Sequence, residues 1–151
     1  MKSRIKSGIV FPFAAALALS PWLARAHGDA CDKPFQTFGS LAVPVNYSGV
    51  TGQFTVPAGY RLQIEQVSAN IRLALNTDRA DFQIGTTVGG TFAVHNLAVA
   101  EGYALIDRKA YGPVTLYADK GSVVSIYVTR QGSSYPATTA GWVVTGCLFP
   151  A

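Results

Sequence analysis

The sequence is short of charge, of cysteine and histidine, and of any helical period. Charged residues make up 13% of the 151 residues, about half the usual share, while the hydrophobic set is near average at 49%. A disordered chain would need the reverse balance. The length suits one domain and is too small for two of ordinary size. The formal charge of +4, from 12 bases and 8 acids, is an end effect. Four of the bases (Lys2, Arg4, Lys6 and Arg25) lie in the first 26 positions, which hold no acid, so the rest carries 8 of each sign. That balance excludes bulk electrostatic binding to nucleic acid or to a membrane surface.

Catalytic motifs are missing as well. His27 and His95 are the only histidines. There is no Gly-x-Ser-x-Gly elbow, no His-Glu-x-x-His and no phosphate-cradling glycine loop. A Ser-His-Asp site would have to assemble in space from His95 with Asp107 or Asp119. A small hydrolase or lyase on a jelly-roll scaffold is therefore only the third reading, and no motif implies a cofactor.

What is present begins with an export signature. Met1 to Ala26 reads as a signal peptide. Lys2, Arg4 and Lys6 form a positive start, Gly8 to Leu19 an apolar run, and Ala24-Arg25-Ala26 a small-x-small cleavage site. The run is too short to cross about 30 Å of hydrocarbon as a helix, so no membrane insertion of the mature chain is expected. Residues 27–151 are then one exported domain, periplasmic or extracellular. Its two cysteines, Cys31 and Cys147, stand alone near the two ends, with no Cys-x-x-Cys spacing. In an exported chain they predict a disulfide that ties the ends together.

From Phe35 onward the apolar residues alternate. Leu62 and Ile64 share one face, after which Val67, Ala69 and Ile71 continue on odd numbers. That slip predicts a β-bulge near Glu65-Gln66. Gly89-Gly90 signals a hairpin between the Phe82–Val88 and Phe92–Val94 runs. Asp119-Lys120-Gly121 signals another, between Val114–Ala118 and Val124–Val128. Turn-bounded runs at 36–45, 51–56, 60–75, 80–88, 91–99, 103–107 (a weak one), 113–130 as a hairpin pair and 139–149 give about eight strands. The expected fold is an all-β, antiparallel, jelly-roll-like sandwich, because its terminal strands can lie side by side under a terminal disulfide.

Two stretches resemble a known group. Phe54-Thr55-Val56-Pro57-Ala58-Gly59-Tyr60-Arg61-Leu62-Gln63-Ile64-Glu65 and Val114-Thr115-Leu116-Tyr117-Ala118-Asp119-Lys120-Gly121-Ser122-Val123 look like strand–turn–strand patterns of uncharacterised small exported β-sandwich proteins of Gram-negative bacteria. The resemblance implies export and the fold, and brings no catalytic residue.

Three candidate sites remain. Cleavage after Ala26 would leave His27 at an amino terminus, and His27-Gly28 resembles the start of bacterial lytic polysaccharide monooxygenases. With His95 it would offer nitrogen ligands for Cu(II). The Asp-x-His pattern of bacterial copper-resistance carriers is missing. Asn76, Asp78 and Asp81 form an oxygen-rich loop of the kind that holds calcium, though turn initiation explains such residues equally well. Tyr117 and Tyr127 flank the Asp119-Lys120-Gly121 turn, each out of phase with its apolar face. As a hairpin pair they would form an exposed platform for a carbohydrate or protein ligand. The leading expectation is an exported, non-enzymatic binding or structural module. The alternative is a copper protein using His27 and His95.

Overall fold

The computed structural model describes Cys31 and residues 33–101, 106–132 and 136–151. The expected signal peptide and His27 lie outside the described residues. Among the described residues no helix is long and apolar enough to cross a membrane.

The strands are β1 (Lys33–Val43), β2 (Gly49–Thr55), β3 (Tyr60–Arg72), β4 (Arg79–Val88), β5 (Thr91–Asn96), β6 (Val99–Glu101), β7 (Asp107–Ala118), β8 (Val123–Gln131) and β9 (Thr138–Pro150). They form a five-stranded sheet, β1-β9-β3-β7-β6, and a four-stranded sheet, β2-β8-β4-β5. The antiparallel pairs β4–β5, β3–β7, β2–β8 and β1–β9 nest around the Gly89-Gly90 turn. One long hairpin rolled on itself produces this order, which is the jelly roll expected from the sequence. Gly89 and Gly90 carry φ of 58° and 76°, the left-handed pair that a two-residue hairpin turn requires.

Alternation decides what is buried. Leu62, Ile64, Val67, Ala69 and Ile71 of β3 face inward, against Phe82 and Ile84 of β4 and Val124, Ile126 and Val128 of β8. The expected bulge is present. The register of β3 shifts between Ile64 and Gln66 against both β7 and β9, so Glu65 and Gln66 both become exposed.

The ends meet as expected. Pro34 on β1 lies opposite Cys147 on β9, and Cys31 is bonded to Cys147 with their Cα atoms 5.5 Å apart. At the β1/β2 flank, Phe54 stacks on Trp142 at 5.9 Å and meets Phe35 at 5.7 Å. Trp142 fits because Gly39 lies opposite it with no Cβ; one built there would stand 2.6 Å from the indole. Two buried arginines tie down the loops. Arg130 donates to the carbonyls of Pro44, Tyr47 and Pro136, and Arg108 to those of Asn76 and Asp78.

One expectation needs correction. The turn at Asp119-Lys120-Gly121 does not close a hairpin. β7 pairs with β3 and β6, whereas β8 pairs with β2 and β4, so the turn crosses from one sheet to the other. Ser122 N–H closes the turn on the Asp119 carbonyl, while Asp119 N–H donates to Thr87 and Gly121 N–H to Val56. Alternation identifies the core-facing residues of two neighbouring strands. It reads the same whether they lie side by side or face each other across the core. Most of the sixth strand expected at 103–107 lies outside the described residues; among those described, β6 is the short Val99–Glu101 and β7 begins at Asp107.

Candidate functional site

Tyr117 and Tyr127 do point away from the core, but out of opposite sheets. Tyr117 lies opposite Gln63 on the five-stranded sheet, and Tyr127 lies between Thr51 and Gln83 on the four-stranded one. They cannot form one platform. The Arg61 guanidinium also covers the Tyr117 ring, 4.9 Å from its centroid.

The exposed aromatics that share a face are others. On the outer side of the five-stranded sheet, one cross-strand row runs Phe38, Val143, Ser68 and Tyr111 over β1, β9, β3 and β7. Phe38 is 76% exposed and Tyr111 67%. Three strand spacings separate them, about 14 Å. The neighbouring rows are uncharged over the middle strands. Gln36, Thr145, Gln66 and Pro113 lie on one side, and Ser40, Gly141 and Asn70 on the other, with Lys109 only at the β7 end.

The β3 bulge shapes this face. It leaves a groove of about 320 Å³ lined by Glu65, Gln66, Tyr111, Gly112, Pro113 and Thr145. Tyr111 therefore stands as the wall of a depression whose rim carries amide, hydroxyl and carboxylate groups. These can both donate and accept hydrogen bonds.

A second depression, about 340 Å³, opens on the β5/β7 flank. His95 lines it with Thr86, Thr91, Thr115, Leu116 and Tyr117. Neither proposed aspartate joins it in a catalytic arrangement. Asp119 accepts from Gly89 N–H at 2.5 Å and faces Arg61 at 3.7 Å. Asp107 begins β7, eight residues before Thr115 along an extended strand. The copper pair is testable at one member only, since His27 lies outside the described residues.

The proposed calcium loop has other bonds. Asp78 is buried and accepts the N–H of Leu75, which closes the β3–β4 turn. Asn76 gives its carbonyl to Arg108, while Asp81 sits on β4 and accepts from Gln131. Among the described residues no group of three or more His, Cys, Asp or Glu is placed to hold a metal.

Sequence reasoning passed over Phe38 although its signal was available. Phe35, Leu41 and Val43 keep odd phase along β1, and Phe38 breaks it.

No family model matches the chain, and no curated protein matches it. Solved structures do. The VP2 subviral particle of infectious bursal disease virus aligns with a TM-score of 0.51 at 13% identity, over 80% of this chain and 34% of that one. The Gt strain of the same virus aligns at 0.48 and 14%, over 96% and 39%. This chain thus spans well under half of either protein. At such identity the likeness shows the jelly-roll fold alone.

Proposed function

We propose that this protein is an exported, non-enzymatic binding module that takes a neutral polysaccharide on the outer face of its five-stranded sheet. The row from Phe38 to Tyr111 carries the proposal. A solvent-exposed Phe has no folding role to explain it, and single exposed apolar residues are ordinary. Here two aromatics share one row, with amide and hydroxyl side chains around them. A protein-docking core would be apolar and contiguous. A sugar ring offers an apolar C–H face for stacking and a hydroxyl edge for hydrogen bonds. Two aromatic posts, with Gln, Asn, Ser and Thr side chains between and beside them, match both. The span of about 14 Å exceeds one pyranose ring, so it suits a chain rather than a monosaccharide.

Export is supported by the disulfide, which an oxidising compartment favours, and by the charged-apolar-small pattern of the first 26 residues.

The test is a glycan array probed with the oxidised domain. Retention on neutral polysaccharides, with none on free monosaccharides, is the expected result. Retention only on charged glycans, or on none, would refute the proposal.

A further inference from the structure

β5 ends the four-stranded sheet, and among the described residues no strand pairs with its other edge. Exposed edges are usually guarded by lysine, proline or a bulge. This one has none: its sequence is Thr91-Phe92-Ala93-Val94-His95-Asn96, with no Lys, Arg, Asp or Glu. Phe92 is 50% and Val94 46% exposed on the sheet's outer side. Phe92 leans over Gly85, where an added Cβ would lie 2.5 Å from its ring.

The direction of the free backbone groups follows from the ladder. Leu97 N–H donates to Phe82 across β4. Hydrogen bonding alternates along a strand, so Thr91, Ala93 and His95 also bond toward β4. Phe92, Val94 and Asn96 therefore direct their N–H and C=O groups away, at the open edge.

We propose that this edge is a self-association site, where a second copy of the chain adds its own β5 antiparallel about a two-fold axis through Val94. A two-fold perpendicular to the sheet keeps inner faces with inner and outer with outer. Val94 then lies opposite Val94 of the other copy, and Phe92 opposite Asn96. Every edge-directed residue finds a hydrogen-bonding partner. An axis through Ala93 would instead set Asn96 against the turn residue Gly90. The joined four-stranded sheets form one continuous sheet, and the two five-stranded sheets come to lie on the same side of it. Their outer faces point the same way, so a polymer with many repeats would meet two binding faces at once.

Sedimentation velocity of the oxidised protein without any saccharide, from micromolar to submillimolar concentration, tests the association. A reversible monomer–dimer equilibrium is expected. V94K should raise the concentration midpoint by ~10-fold or more, since it sets two like charges face to face. The outward-facing variant T51K on β2 should leave the midpoint unchanged. The register is tested by V94C. Hydrogen-bonded antiparallel partners stand about 5.5 Å apart at Cα, within disulfide reach, so a cross-linked dimer should form on oxidation. The native cysteines are already bonded to each other. A protein that stays monomeric throughout, or a dimer that V94C does not cross-link, overturns the proposal. Neither readout involves saccharide, so failure of the glycan reading would leave this result standing.

Discussion

Phe38 and Tyr111 occupy one cross-strand row of the five-stranded sheet, at its first and fourth strands, with Val143 and Ser68 between them. Both rings stand in solvent, the two residues between them are uncharged, and Glu65 and Lys109 are the charged groups beside Tyr111. The fold presents them there because β1 pairs with β9 along its whole length, while β7 pairs with β3.

Charge is absent from the middle of that row, so binding should be insensitive to salt. Raising ionic strength from about 0.05 to 0.5 M shortens the Debye length several-fold and weakens exposed ionic contacts. Affinity for a neutral polysaccharide, measured by calorimetry across that range, should change by less than about twofold. A steep loss with salt would place binding on a charged surface instead.

The slot for Trp142 predicts a stability effect on the inner side of the same sheet, opposite to the binding face. Gly39→Ala puts a methyl group where the structure leaves 2.6 Å to the indole. Overpacking of this kind costs about 1–3 kcal/mol. Urea denaturation should show a lower midpoint with an unchanged slope.

The Cys31–Cys147 bridge closes a span of 116 residues. Loop-closure entropy for about 100 residues gives up to about 4.7 kcal/mol, and measured bridges commonly contribute about 2–4. The double variant C31S/C147S should therefore unfold at a markedly lower urea concentration. It should keep its β-sheet circular dichroism, because the core does not depend on the bridge. Thiol titration of the unreduced, unfolded native protein should find no free thiol.

Arg130 holds two loops through three carbonyls. Arg130→Met keeps much of the side-chain volume but removes every donor. Losing these hydrogen bonds from a buried charged donor should cost about 2–4 kcal/mol. Thermal melts should show this loss, and proteolysis should cut first in the 44–48 loop that Arg130 secures.

Most of the fold was legible from alternation and turn chemistry. The β3 bulge followed from the Ile64-to-Val67 phase slip, the β4–β5 hairpin from Gly89-Gly90, and the terminal bridge from two isolated cysteines. The sheet assignment at Asp119-Lys120-Gly121 was not legible. The same inward residues, Val114, Leu116, Val124 and Ile126, suit a hairpin or a sheet-to-sheet crossing equally. The proposed platform of Tyr117 and Tyr127 failed with that turn. The row that replaced it depends on the long-range register of β1, β9, β3 and β7. Phe38 shows itself out of phase in the sequence, but nothing local says that Tyr111 shares its row.

The most direct test of the binding face is affinity electrophoresis of the F38A/Y111A variant in gels containing a neutral polysaccharide that retards the native protein. Both side chains are largely exposed, so removing them should change stability by no more than about 0.5 kcal/mol each. The account predicts that the variant melts like the native protein and migrates unretarded. A folded variant that is retarded as strongly as the native protein would contradict it.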